Sequence, residues 1–224
     1  MELIIGDCNY STWSMRPWLF IQKHKLPVQV RQYGLSSEEI SQVLVERFSG
    51  GKVPVLWDSS FEVWDSLAIL EYLGEIYPHS NPWPQDAQAR AAARSVSAEM
   101  HSSFASLRIE APMNIRRRFP GYALSESAVS DVLRIQKIWR YCRTRYARHG
   151  PWLFGPFTIA DAMYAPVVMR FRSVEVELDN CAAHYCHTVN SDSAVRQWIR
   201  MALKETHRVE EDELDLPSEP NNQI

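Results

Sequence analysis

Apolar and polar positions along the first third of the chain switch between a period near two and a period near 3.6. Leu3-Ile4-Ile5 is a short apolar run that suits a buried strand. Trp18, Leu19, Phe20, Ile21 and Leu26 suit a helix ending near Lys25. After Pro27, Val28-Gln29-Val30-Arg31-Gln32-Tyr33 alternates as a strand does. Ser36 and Glu39 have capping-box spacing and predict a second helix, broken at Gly50-Gly51. Val53-Pro54-Val55-Leu56-Trp57 and Phe61-Glu62-Val63, on either side of Asp58-Ser59-Ser60, predict a hairpin. Ser66 is expected to cap a third helix carrying Leu67, Ile69, Leu70, Leu73 and Ile76, which Pro78 stops. The order β-α-β-α-β-β-α predicts a small α/β sheet packed by helices.

Three prolines between Pro78 and Gln85 mark a linker, and strand signals vanish after it. Helical spacing runs from Ala87 to Met113 and from Ser125 to His149, then from Thr158 and again from about Ser193. The chain therefore divides into an α/β domain over 1–78, a linker over 79–85 and an all-helical domain over 86–207. The acidic, proline-containing segment 208–224 is expected to be a disordered tail, with a closing lid as the alternative.

Composition narrows the function. Of 224 residues 46% are hydrophobic, enough for two real cores. The net charge of −3 lacks the basic excess of a nucleic-acid or membrane-surface protein. The basic triplet Arg116-Arg117-Arg118 reads as a solvated loop or helix end, or as the anion-attracting rim of a cleft. No signal peptide is predicted at Met1-Glu2-Leu3-Ile4-Ile5, and no apolar run nears the ~20 residues that span a bilayer. Cys8, Cys142, Cys181 and Cys186 form no disulfide framework and read as reduced thiols in a cytoplasm. Cys181, His184, Cys186 and His187 match no zinc spacing, so no metal is expected. No glycine-rich phosphate loop points to a nicotinamide cofactor.

Three features of the first domain carry chemistry together. Asn9-Tyr10-Ser11-Thr12-Trp13-Ser14-Met15-Arg16-Pro17 crowds hydroxyls onto a loop leading into a helix, with Pro17 expected in its first turn. A helix start offers unpaired N–H groups and partial positive charge. Thiol pKa values fall there from ~8.5 to ~3.5–7.5. No cysteine occupies the loop, so the thiol would come from a ligand, with a hydroxyl donating to it. The simpler use of these hydroxyls is helix capping, with Ser14 the expected cap. Val53-Pro54 removes a ladder donor at a strand start, and a cis bond would let Val53 pair with an extended peptide. Asp65-Ser66 opens a helix, where a hydroxyl and free N–H groups suit a carboxylate and the adjacent acid suits an ammonium. A thiol site, a peptide-pairing edge and a zwitterion site describe a ligand such as glutathione.

On these residues the chain resembles the cytosolic glutathione S-transferase family over roughly 1–205. The resemblance implies a thioredoxin-like N-terminal domain followed by an all-helical C-terminal domain. Val53-Pro54 is similar to the family's cis-proline step. Asp65-Ser66, continued by Leu67-Ala68-Ile69-Leu70-Glu71-Tyr72-Leu73, is similar to the pair that binds the γ-glutamyl group. Phe157-Thr158-Ile159-Ala160-Asp161-Ala162 resembles the family's buried N-capping box, a structural motif. Ser11-Thr12-Trp13-Ser14-Met15-Arg16 resembles the serine-rich loop of zeta-like members, with Trp13 where that pattern has cysteine.

The resemblance implies Ser11 as the residue activating the thiol of glutathione, the co-substrate, with Tyr10 and Thr12 as competing assignments. Lys52, Val53, Pro54, Asp65 and Ser66 would bind glutathione with Ser11. Trp13, Tyr10 and Arg108 would line the pocket of a small electrophile, and Arg108, Arg116 and Arg170 are candidate anchors for an acidic one. The expected reaction is attack of glutathione thiolate on the electrophile. The alternatives are a zeta-type, maleylacetoacetate isomerase-like activity or a non-catalytic binding module on the same fold. A homodimer is implied by the resemblance; no metal, nucleic acid or membrane partner is.

Overall fold

The computed structural model describes residues 1–35, 38–44 and 49–221. Four strands, β1 (Glu2–Ile5), β2 (Gln29–Gln32), β3 (Val55–Asp58) and β4 (Phe61–Trp64), form a sheet in the order β2-β1-β3-β4. β1 and β2 run parallel, while β3 is antiparallel to both β1 and β4. Helices α1 (Thr12–His24), α2 (Glu38–Leu44) and α3 (Ser66–Ile76) complete this half. The expected capping residue Ser36 lies outside the described residues. Alternation divides the sheet's faces. Leu3, Ile5 and Leu56 join the main core with α1 and α3, while Ile4 and Val55 pack with Ile40 and Leu44 of α2.

The remainder is helical: α4 (Ala87–Ser102), α5 (Ala105–Glu110), α6 (Glu126–Tyr146), α7 (Ile159–Ser173), α8 (Asn180–Ser191) and α9 (Ser193–Ala202). The helical pattern predicted over 87–113 is two helices, because Phe104 takes the left-handed conformation (φ 66°) between them. The separate α8 has no counterpart among the expected helices. Thr158 and Asp161 cap α7 reciprocally, and the Asp161 carboxylate also accepts from Leu153 N–H at 2.9 Å and Tyr185 O–H at 3.2 Å.

One continuous core joins both halves. Trp18 of α1 and Trp198 of α9, both fully buried, meet edge to face at 5.1 Å between ring centroids. Such rings bury about 150–250 Å² each, so this contact is a major tie between the halves.

Over 208–221 the tail packs against the body of the protein. Two-residue strands β5 (Arg117–Arg118) and β6 (Glu219–Pro220) pair antiparallel. Buried Asn221 donates to the Ile115 carbonyl at 2.8 Å and accepts from Arg172 at 2.8 Å. The tail's partner is the backbone of residues 116–118, far away in sequence. Among the described residues no helix is long and apolar enough to cross a membrane.

Candidate active site

The starts of α1 and α3 open onto one cavity of about 1030 Å³. Tyr10, Ser11 and Trp13 line it from the first loop, and Lys52, Val53, Pro54, Asp65 and Ser66 from the hairpin region. The Val53–Pro54 bond is cis. Every predicted site residue but two, Arg108 and Arg116, is thus brought together. Arg108 donates to the Ser103 carbonyl at 3.0 Å and to the Met100 carbonyl, and stands behind Trp13.

Ser11, not Ser14, caps α1. Its Oγ accepts from Ser14 N–H at 3.3 Å and lies 2.7 Å from Ser14 Oγ, to which it donates. Ser14 Oγ also accepts from Gly6 N–H at 3.2 Å, which ties the strand end to the helix start. Pro17 lies in the second turn rather than the first, where an N–H would ordinarily bond the Trp13 carbonyl. The first turn of α1 contains no acidic residue, so its partial positive charge is not offset locally.

At α3 the cap is Asp65, not Ser66. Asp65 takes a positive φ of 75° and accepts from Leu67 N–H at 2.8 Å and Ala68 N–H at 3.4 Å through Oδ1. Its Oδ2 stands 3.2 Å from His101 Nε2 of α4. Ser66, fully buried, accepts from Arg16 Nη1 at 3.0 Å, leaving its own hydroxyl proton to donate.

Arg16 is 1% exposed and its Nε has no partner among the described residues. Burial, then Arg108 and Arg170, push its guanidinium down to about 9, while Asp65 opposes the fall. Two guanidinium groups pack on the Trp13 ring, Arg16 at 4.1 Å and Arg108 at 5.1 Å from its centroid, with His101 edge-on at 5.3 Å. Arg170 of α7 also lines the cavity. It is buried, pushed down to about 10 first by burial, and its Nη1 donates to the carbonyls of Ala111 at 2.5 Å and Arg108 at 3.2 Å. Of these three arginines only Arg170 lines the cavity, whose wall also carries Asp65, Glu210 and Asp212.

Tyr10 is engaged elsewhere. Its hydroxyl bonds Glu213 of the tail and accepts from Arg116 at 2.9 Å. Burial and Glu213 raise its pKa, against Arg116. Arg116 also donates to the His207 carbonyl at 2.6 Å, so it serves the tail and not the cavity. Arg208, Val209, Glu210 and Asp212 place the tail on the cavity's rim. No group of three His, Cys, Asp or Glu among the described residues is arranged to hold a metal.

Several residues around the cavity have no role in the sequence reading. Arg16 lies inside the quoted serine-rich loop, but its partner Ser66 is 50 residues away. His101 sits in an Ala- and Ser-rich helix with no flanking motif. Buried Ser49 lines the cavity with its hydroxyl unpartnered among the described residues.

Comparison with known proteins agrees with this geometry. The glutathione S-transferase N-terminal domain matches residues 10–76 and the C-terminal domain of the same enzymes residues 128–200. Glutathione S-transferase theta-2 of Rattus norvegicus is 41% identical over 80 residues, 33% of this chain and 31% of that protein. The match thus spans about a third of that relative's length. A glutathione transferase homolog from Burkholderia, solved with bound glutathione, superposes at a TM-score of 0.66 and 22% identity, covering 90% of this chain and 96% of that one. Maleyl pyruvate isomerase, a bacterial zeta-class glutathione S-transferase, superposes at 0.69 and 20% identity, covering 92% and 100%. The chain belongs to the cytosolic glutathione S-transferase family.

Proposed function

We propose that the protein is a glutathione transferase in which Ser11 donates a hydrogen bond to the glutathione thiolate. The observation that carries this reading is the convergence of Ser11, Val53-Pro54 and Asp65-Ser66 on one cavity. Glutathione fits the chemistry of these groups. Ser66 retains a proton for the γ-glutamyl carboxylate, and Asp65 offers the ammonium a carboxylate oxygen outside its capping bonds. The Val53 backbone would pair with the cysteinyl peptide. Ser49, whose hydroxyl has no partner among the described residues, offers a further polar contact.

In this mechanism Ser11 turns its proton from Ser14 to the sulfur, and the α1 N-terminus adds its dipole. The thiolate then attacks an electrophile lying against Trp13. Residues 1–78 would bind glutathione and 86–207 the electrophile. Tyr10 is the weaker candidate because its hydroxyl is spent on Glu213. Exposed Phe61 and Trp64 on edge strand β4 would supply apolar surface for a homodimer.

Arg170 favours a second reading, glutathione-dependent isomerisation of a maleyl-type acid, because a buried cation in the cavity wall suits a substrate carboxylate. Glutathione stoichiometry separates the two. A conjugating transferase consumes one glutathione per turnover, whereas an isomerase regenerates it. Glutathione binding measured by calorimetry, with turnover of neutral and acidic electrophiles, tests both. Binding without turnover of any electrophile would leave a non-catalytic module.

A further inference from the structure

The loop that carries Ser11 is gripped by Trp198 of α9 and by Glu205, just beyond the end of that helix. The Glu205 carboxylate accepts from two successive backbone N–H groups, Cys8 at 2.7 Å through Oε1 and Asn9 at 2.9 Å through Oε2. Trp198 Nε1 donates to the Cys8 carbonyl at 2.9 Å. Gln32 of β2 donates to Oε1 as well, and Arg116 donates to the Glu205 carbonyl. The Asn9 side chain accepts from Arg116 N–H at 2.8 Å and donates to Asn114 at 3.0 Å. Both polar backbone groups of Cys8 are therefore spent on residues nearly 200 positions later. Glu205 and Trp198 do not line the cavity.

Cys8 itself is not the reason for this grip. Its thiol is buried and pushed well up by burial and by Glu205, so it is inert as a nucleophile. The consequence falls on the residues that follow. Ser11 N–H bonds the Asp7 carbonyl and Thr12 N–H the Tyr10 carbonyl, both at 2.9 Å, so the turn from Asp7 to Thr12 is stitched together. Fixing Cys8 and Asn9 fixes Ser11.

We propose that Glu205 is a positioning residue for the thiol site: by clamping the Cys8 and Asn9 N–H groups it sets where the Ser11 hydroxyl stands. This rests on the reading of Ser11 as the thiol's hydrogen-bond donor. A carboxylate bridging two consecutive N–H groups admits one register, and displacement of a catalytic group by 1 Å can cost ~10²-fold in rate. A glutamine of the same length cannot replace it, because its NH₂ would face one of the two N–H donors.

The test uses the full chain and three variants. E205Q breaks the clamp, W198F deletes the bond to the Cys8 carbonyl and shrinks the ring packed on Trp18, and V189A removes buried volume in α8 as a stability control for that loss. Each is measured for amide exchange at Cys8 and Asn9, thermal midpoint, and the pH midpoint of the ultraviolet thiolate band of bound glutathione. The expected result is faster exchange in E205Q, a thiolate midpoint raised by about one pH unit and kcat lowered at least ~10-fold. W198F should shift both in the same direction by less, and carries the test if E205Q does not fold. V189A should lower the thermal midpoint without moving the band. Faster exchange in the clamp variants with an unmoved band would overturn the proposal and leave Glu205 as a tie between the two halves. Absence of a thiolate band in the parent would overturn the Ser11 reading, and this inference with it.

Discussion

Two helix starts face the same cavity and use the same local device for opposite purposes. α1 is capped by the neutral hydroxyl of Ser11 and has no acid in its first turn. α3 is capped by the carboxylate of Asp65. At α1 the exposed end of the helix dipole favours an incoming anion, which suits a thiolate. At α3 the cap has already supplied the negative charge, and its remaining oxygen suits an ammonium. Arg16 joins the two sites, packing on Trp13 beside one and donating to Ser66 at the other. On the proposed function, a capping residue that satisfies helix N–H groups would also select the charge of the ligand group beside it.

Four substitutions break or sharpen this contrast. Ser11→Ala should lower kcat about 10²-fold, the loss expected on removing one preorganised donor to a developing or stored negative charge, with the glutathione KM little changed. Steady-state kinetics at saturating electrophile read it. α7 provides the case of a capped helix start without a ligand: Asp161 accepts from Leu153, Thr158 and Tyr185, all buried. Asp161→Ala strands those donors and should cost about 3 kcal/mol, lowering the thermal midpoint by roughly 6–12 °C for a chain of this size. Asp65→Asn keeps a competent cap and removes only the charge, so it should raise the glutathione KM about tenfold, or ~1.4 kcal/mol, with kcat nearly unchanged. An equal effect on kcat would break the division of labour between the two helix starts.

The smallest effect is at the other end of α1. His24 packs against Phe20 and Phe157, and burial, with Lys23 and His79 nearby, lowers its pKa below 6.5. The folded state therefore binds its proton less tightly than the unfolded chain. Its contribution to stability is present above the unfolded pKa of about 6.5 and is lost as pH falls through the folded value. His24→Phe should flatten the slope of stability against pH between 7 and 5, read by denaturant unfolding, and leave the thiolate site untouched.

Local pattern in the sequence carried most of the architecture. Leu3-Ile4-Ile5, the hairpin around Asp58-Ser59-Ser60 and the Thr158/Asp161 box all announce their elements within a few residues. The same pattern placed both cavity caps wrongly, at Ser14 instead of Ser11 and at Ser66 instead of Asp65. A cap is defined by backbone angles at the boundary, such as the positive φ of Asp65, and neighbouring polar residues compete for the position. Features that depend on distant pairing were not legible. The contacts of the acidic tail with Tyr10, Asn114, Arg116 and Arg172 are of this kind, since all four lie elsewhere in the sequence. Arg108 and Arg170 look alike in the sequence, yet packing places one behind Trp13 and the other on the cavity wall.

The central claim, that Ser11 stabilises a glutathione thiolate at the start of α1, is tested most directly by ultraviolet difference titration of bound glutathione. The account predicts a thiolate band that titrates below the ~8.5 of a free thiol in the parent and shifts upward in Ser11→Ala. A band at the same midpoint in both proteins would contradict it and move the role to Thr12, Tyr10 or the backbone N–H groups.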